Sequence, residues 1–433
     1  MKFFLTTIGT RGDVQPLVAL GKALIQAGHS VTLNAPCNFA AFAAEHGVPF
    51  APMEIDFDDF ARQQAADINS AFKTSQALNR MFASQLVAQF RDLPAQMAGH
   101  DVVVCASAQM VAGSVAEALG LPYRYLVFVP TVLTSAQHPP FFIPWQGLPR
   151  FVNRALWWVM HVMYNRLLRK GLNRGRQQLG VPPLDDVADH ITSEETIAAC
   201  DAGLGTVPDD VRPFVQTGAF VLGDVADPLP AALERFLQAG PPPVYIGFGS
   251  MPAADPREST RLVREAVALA GVRAVVYRGA AQLGDNDDDT LLAVDAVSHR
   301  ALFPRCAVVV HHGGAGTTTA AARAGVPHVV VPHVSDQFFW ASRTVRLGVG
   351  GTPIARGKLT AAGLAASLKE ALHDDVRARA RALAASLDRV DGLQNAVRYL
   401  ETLQKLRPSS LSSSPLPPLS PRTEPAQEIA GAR

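Results

Sequence analysis

Cysteine is scarce in this 433-residue chain: Cys37, Cys105, Cys200 and Cys306 stand far apart, with no C-x-x-C pair and no clustered histidines. That spacing argues against a disulfide framework or a structural zinc site and fits a reducing compartment, so a cytoplasmic location is expected. An excess of one charge is also missing. With 39 basic and 38 acidic residues there is no overall field to gather nucleic acid, and no nucleic-acid partner is expected. No window approaches about 18 uninterrupted apolar residues, so no membrane-spanning helix is predicted. The opening "MKFFLTTIG" runs into "TRGD" instead of a small-residue cleavage site, so no signal peptide is expected.

Several nucleotide motifs are absent as well. "IGTRGD" lacks the G-x-G-x-x-G pattern, and the second strand ends near Asn34 where a dinucleotide site would want an acid to hold ribose. In "LGKAL" the lysine is followed by alanine, which excludes a phosphate loop, and "GFGSM" carries its serine one place too late for a nucleophile elbow.

What is present is a repeated alternation. "KFFLTTI" reads as a strand, Leu17, Leu20, Leu24 and Ile25 fall at helical spacing after Pro16, Gly28 stops that helix, and "SVTLNA" begins a second strand. The pattern recurs at "DVVVCAS" and "YRYLVFV". A second series follows the proline-rich "DPLPAALERFLQAGPPP", through "VYIGFGS", "RAVVYRG", "CAVVVHHGG" and "PHVVVP". Two doubly wound parallel-sheet halves are predicted, joined near residues 225–242 and separated by a cleft. The Ser- and Pro-rich end, 407–433, has little to bury and reads as a disordered tail.

One stretch breaks the alternation. "HPPFFIPWQGLPRF" and the following "ALWWVMHVMYNRLLRKGLNRGRQQLG" form a long apolar helical segment. It reads first as a helix packed on its own domain, next as a wall of a hydrophobic ligand pocket. A weak peripheral membrane contact through residues 150–176 is a third reading, because Arg166, Arg169, Lys170, Arg174 and Arg176 follow the aromatics.

The segment Val308 to Trp340, "VVVHHGGAGTTTAAARAGVPHVVVPHVSDQFFW", carries the chemistry. A strand ends, glycines turn the backbone tightly, and a helix begins, presenting the N–H groups of Ala315, Gly316 and Thr317 as a diphosphate cradle. His312 precedes the cradle, placed to donate to a phosphate oxygen, whereas His311 reads as a packed strand residue. Asp336 and Gln337 follow the next strand, and a carboxylate beside an amide accepts from and donates to sugar hydroxyls. Asp287, Asp288 and Asp289 read as a solvated loop, Asp56–Asp58 lies outside any strand-end context, and no metal is expected. Near the other end of the chain, Asp13 follows the first strand toward the cleft, where a carboxylate can take the proton of an attacking hydroxyl. Its other reading is a cap for the helix beginning near Pro16. "DVVVCAS" offers Ala106 and Ser107 there and no partner acid.

"GTRGDVQP", "VYIGFGSMP", "HHGGAGTT" and "VPHVSDQFFW", in this order, resemble the nucleotide-sugar-dependent family 1 glycosyltransferases, closest to sterol glucosyltransferases and the bacterial enzymes that glycosylate antibiotic aglycones. The resemblance implies the GT-B fold: two Rossmann-like domains, an acceptor-binding one at 1–224 and a nucleotide-sugar-binding one at 243–376, with helices over 377–406 crossing back to the first. It puts Ser250 near the diphosphate, Val297 and His299 at the base and ribose, and Thr10 and Arg11 toward the donor phosphates, though Arg11 alone reads as a surface ion pair. Ala301 and Ser298 stand where the sterol enzymes have tryptophan and proline, which leaves UDP against dTDP open. The resemblance implies an inverting transfer of a hexose, glucose from UDP-glucose as a co-substrate without a separate cofactor, to a hydrophobic small-molecule acceptor. A deoxysugar transferase using a dTDP-sugar, a nucleotide-sugar epimerase and a noncatalytic nucleotide-sugar-binding protein are the alternatives.

Overall fold

The computed structural model describes residues 1–54, 85–192, 195–211, 213–223, 228–253, 255–284 and 287–406. The Asp56–Asp58 run and the 407–433 tail lie outside the described residues.

Seven strands form the first sheet: β1 (Lys2–Ile8), β2 (Ser30–Pro36), β3 (Phe50–Met53), β4 (Val102–Ser107), β5 (Tyr123–Val127), β6 (Thr196–Ala198) and β7 (Phe214–Gln216), in the order β3-β2-β1-β4-β5-β6-β7. The second sheet has β8 (Val244–Gly247), β9 (Ala274–Tyr277), β10 (Leu291–Val294), β11 (Val308–His311) and β12 (His328–Val330), ordered β10-β9-β8-β11-β12. Every pairing among the described strands is parallel. The helices that matter below are α1 (Arg11–Gln26), α2 (Arg150–Gln178), α3 (Ala231–Gln238), α4 (Ala315–Arg323), α5 (Gln337–Arg346), α6 (Asp374–Leu387) and α7 (Gly392–Thr402). The architecture is GT-B: two doubly wound α/β domains.

Both faces of each sheet are covered, and the strand periodicity shows it. Phe3, Leu5, Val102 and Val104 join one core, while Phe4, Val103 and Cys105 join the core on the opposite face. Val244, Ile246, Val308 and Val310 likewise face away from Tyr245 and Val309. Strands buried on two sides read as continuous apolar runs, as "VVVC" and "VVVH" do. Within the stretch read as a linker, 225–242, α3 is helical, and its Leu233, Phe236 and Leu237 pack beneath the second sheet.

The start of α1 differs from the sequence expectation. The helix begins at Arg11, five residues before Pro16, which sits inside it. Proline usually marks the first helical residue, but here the Asp13 carboxylate accepts from Thr10 N–H at 2.8 Å and closes the first turn. Asp13 therefore belongs to the first turn of a helix and not to a free turn after the strand.

The two domains meet through α4, α5, α6 and α7. Ala322, Phe339, Trp340 and Leu387 enter the same core as Leu204 and Val207 of the first domain. Ala396, Val397 and Leu400 of α7 pack with Leu17, Leu20 and Leu24 of α1, so the C-terminal helix rests on the first domain. Arg124 of β5 donates to Tyr399 of α7, which in turn donates to Glu195. At the junction Arg323 makes a two-pronged ion pair with Asp201, Nε to Oδ2 at 3.0 Å and Nη2 to Oδ1 at 2.8 Å, and the Asp201 side chain is wholly enclosed. Arg323→Ala would strand that carboxylate. It is expected to lower stability by about 3 kcal/mol in urea unfolding, whereas breaking a solvent-exposed pair such as Arg379–Asp375 is expected to leave the unfolding midpoint nearly unchanged.

Candidate active site

The carboxyl ends of parallel strands share one rim, and the site is assembled from that rim in both domains. Ile8 and Ser107 are paired neighbours at the ends of β1 and β4. Ser107 adopts φ +58°, and its hydroxyl donates to Asp13 Oδ1 at 2.6 Å. Asp13 Oδ2 receives the Thr10 N–H at 2.8 Å and the Thr10 hydroxyl at 3.3 Å. The carboxylate lies against Gly9 so closely that a β-carbon there would collide with Oδ2. Three residues, Gly9, Thr10 and Ser107, thus hold one carboxylate, which stays partly accessible. Burial raises its pKa above the usual carboxylate range, while the bonds from Ser107 and Thr10 work in the opposite direction.

Asp336 comes from the other domain, directly before α5 and after Ser335, which is also left-handed at φ +59°. Its Oδ2 accepts from Trp340 Nε1 at 3.2 Å. Burial pushes its pKa up to about 7, and the charge of Asp13 adds to the rise, so the two carboxyls lie within electrostatic reach of each other. Gln337 is turned inward: its carbonyl oxygen accepts from the backbone N–H of His333 at 2.7 Å and Val334 at 3.0 Å, shaping the loop. Its amide nitrogen contacts Met251 Sδ at 3.8 Å and is the part still free to donate.

The diphosphate cradle has the geometry of an uncapped helix start. The first helical bond of α4 runs from Thr318 N–H to Gly314 O at 3.0 Å, which leaves the N–H groups of Ala315, Gly316 and Thr317 pointing forward. No side chain caps them, no acid stands in the first turn, and open space lies over Gly316. The turn before them is set by histidines. Gly313 N–H donates to His311 Nδ1 at 3.1 Å, so the His311 proton sits on Nε2 and is given to His328 Nδ1 at 3.0 Å. His311 is fully buried, a strand residue in a structural chain. His312 is the next residue, its Nδ1 buried with no hydrogen-bond partner among the described residues. Burial lowers its pKa to about 4, so it is a neutral ring with one N–H to offer. Gly249, at φ +60° beyond β8, lets the ring approach: a β-carbon there would stand 2.9 Å from His312 Cε1. Ser250 follows, exposed on the same rim.

His299 stacks on Phe303 with ring centres 4.3 Å apart and meets Tyr245 edge-on. Burial lowers its pKa to about 4, with the Arg11 charge contributing, which places Arg11 within electrostatic reach of the second domain. Val297 packs on the core that includes Tyr245 and Phe303. Arg11 itself bonds Gln15 Oε1 at 3.1 Å and lies 4.4 Å over the Phe42 ring, a cation–π contact in place of a surface ion pair. Asp287 and Asp288 do more than face solvent: Asp288 accepts from Thr290 and Leu291 N–H and Asp287 from Ala293 N–H, closing the loop before β10.

Ser107 was visible in the sequence only as a neighbour offering no acid. Strand order would have exposed its role, since β4 lies beside β1 and their carboxyl ends flank one cleft.

Comparison with known proteins settles the family. The N-terminal domain model of glycosyltransferase family 28 matches residues 3–137, and the C-terminal domain model of the erythromycin biosynthesis protein CIII-like group matches 274–390. The vancomycin aglycone glucosyltransferase of Amycolatopsis orientalis is 36% identical over 412 residues, covering 92% of this chain and 97% of the relative. The chain is a GT-B glycosyltransferase. The dTDP-epi-vancosaminyltransferase of the same organism is 34% identical, covering 88% of this chain and 92% of the relative. A sterol 3-beta-glucosyltransferase of Arabidopsis thaliana is 30% identical, covering 92% and 67%. Among solved structures the glycosyltransferase of kitacinnamycin superposes with a TM-score of 0.70 at 21% identity, covering 93% of this chain and 98% of that one, and the glycosyltransferase VinC with 0.67 at 23%, covering 94% and 100%. This glycosyltransferase therefore shares its family with transferases named for antibiotic aglycones and for sterols.

Two consequences are measurable. Ser107→Gly keeps the φ +58° backbone accessible and removes only the hydroxyl that stabilises ionised Asp13. It is expected to lower turnover about tenfold or more and to move the acidic limb of the pH–rate profile to higher pH. Asp336 holds its proton more tightly folded than unfolded, so between about pH 4 and pH 7 the native state binds more protons and stability falls as pH rises. Asp336→Asn removes that loss, so its melting temperature relative to the parent is expected to be higher at about pH 8 than at about pH 4.5.

Proposed function

We propose that this glycosyltransferase moves a hexose, glucose from UDP-glucose, to a hydroxyl of a lipophilic acceptor such as a sterol, terpenoid, polyketide or hydroxy-fatty-acid lipid, with inversion at the anomeric carbon. The observation that carries the reading is that Asp13 of one domain lies within electrostatic reach of Asp336 in the other, the domain that also carries the uncapped start of α4. Asp13, oriented by Ser107 and Thr10, takes the acceptor proton as the hydroxyl oxygen attacks the anomeric carbon from the face opposite the diphosphate. The glycosidic bond forms as the bond to the diphosphate oxygen breaks, and the negative charge released is received by the free N–H groups of Ala315, Gly316 and Thr317 and by the N–H of His312. These groups supply the leaving-group stabilisation that a metal would otherwise provide, so the proposal includes no metal and no resident cofactor. Asp336 and the Gln337 amide are assigned to the sugar hydroxyls, Ser250 to the diphosphate, Val297 and His299 to the nucleoside, and Thr10 with Arg11 to the donor phosphates on closure.

Glucose as the sugar is supported by the names of two relatives, and a dTDP-deoxysugar by the name of a third. The experiment is a screen of hydrophobic alcohols and phenols against UDP-glucose and dTDP-sugars, read by product mass. A glucoside formed with UDP-glucose supports the proposal; products only with a dTDP-sugar replace the donor assignment, and an altered nucleotide sugar without any glycoside replaces transfer by epimerisation. Asp13→Asn is expected to lose turnover by about a thousandfold or more while still binding nucleotide. His312→Ala is expected to weaken nucleotide binding about tenfold, measured calorimetrically.

A further inference from the structure

The long helix α2 is anchored by one face and bare on the other. Trp157, Met160, Leu168 and Leu172 are buried against the first domain, with Asn153 bonded to Ala136 O at 2.9 Å and Trp157 Nε1 to His138 O at 3.0 Å. On the opposite side Phe151, Ala155, Trp158, Val159, Val162 and Met163 recur at i, i+4, i+7, i+8, i+11 and i+12, an apolar stripe four turns long. Phe151 is 73% exposed, Trp158 68% and Val159 54%. Trp145, in the loop leading to the helix, is 67% exposed and extends the stripe.

Charge around the stripe is strongly one-sided. In a chain that is balanced overall, α2 holds seven basic residues and no acidic one over its 29 residues. Only Arg176 is spent inside, paired with Glu117 at 2.9 Å. Arg150 and Arg154 stand at one end of the stripe. Arg166, Arg169, Lys170 and Arg174 continue the outward face at the other, and none of these six has an ion-pair partner among the described residues. An amphipathic face with aromatics at its centre and long basic side chains at both ends matches an anionic lipid surface: rings enter the headgroup boundary while arginine and lysine stems reach phosphates. A second copy of the chain would bring a like-charged helix against it.

We propose that α2 and the loop bearing Trp145 dock this glycosyltransferase reversibly on anionic bilayers. Gly147, three residues before the helix, lies against the Arg346 side chain of the second domain, so the docked face begins at the junction of the domains. Binding is independent of the sugar-transfer reading, and its test needs no turnover.

The test is co-sedimentation of the full chain with vesicles of phosphatidylcholine alone or mixed with phosphatidylglycerol. Binding is expected to the mixed vesicles, weakening as salt rises. Phe151→Ser with Trp158→Ser, and separately Arg166→Glu with Lys170→Glu, are each expected to lower the partition constant at least about tenfold, with unchanged circular dichroism melts showing that the exposed substitutions leave the fold intact. Failure to sediment with the mixed vesicles, or equal partition of parent and variants, overturns the proposal. So does a dimer in sedimentation velocity that Trp158→Ser abolishes without vesicle binding by the parent.

Discussion

Parallel pairing is the constraint from which the rest of this molecule follows. When every strand runs the same way, the connections must cross over as helices, both sheet faces are covered, and all carboxyl ends emerge at one rim. Residues near 10, 107, 250, 312 and 336 then meet at the facing rims of two domains although the chain separates them widely. The helix that follows a strand at such a rim starts with unpaired N–H groups directed at the cleft. In α4 those groups are left open for an anion, whereas in α1 Asp13 closes its own first turn with one carboxylate oxygen and keeps the other on Ser107.

That difference divides the labour of the cleft. Helix α4 offers positive potential with no acid in its own first turn, and His311, His312 and His299 are all driven neutral by burial, so no histidine among the groups assigned to phosphate and nucleoside titrates near neutral pH. Burial raises both Asp13 and Asp336, and the charge of Asp13 adds to the rise at Asp336. The strain is local: Ser107 and Ser335 are both held left-handed next to these carboxyls, a backbone cost that the surrounding sheet ends sustain.

The junction keeps this geometry. Asp201 and Arg323 pair inside a shared apolar core, Trp340 fills that core while binding Asp336, and α7 returns to pack on α1. The helix that follows Asp336 is thus packed by the residue that orients its carboxyl. The outward side of α2 contributes little to this packing, since Phe151, Trp158 and Val159 remain mostly exposed.

Much was readable from residues alone. The valine runs, the glycine turn after "VVVHH" and the alternation of strand and helix determined the fold class and the cradle, because period and turn chemistry are local properties. The start of α1 at Arg11 was not, since Pro16 is the louder helix-start signal and the Thr10–Asp13 bond overrides it. The strands β3, β6, β7 and β10 span only three or four residues and lack the adjacent valines that marked the equally short β9, β11 and β12. Which face of α2 is covered, that Ser107 serves Asp13, that Gln337 turns inward and that Arg11 stacks on Phe42 were decided by tertiary structure. Each depends on what another element, distant in the chain, places within hydrogen-bonding or packing reach, and sequence spacing does not record that distance.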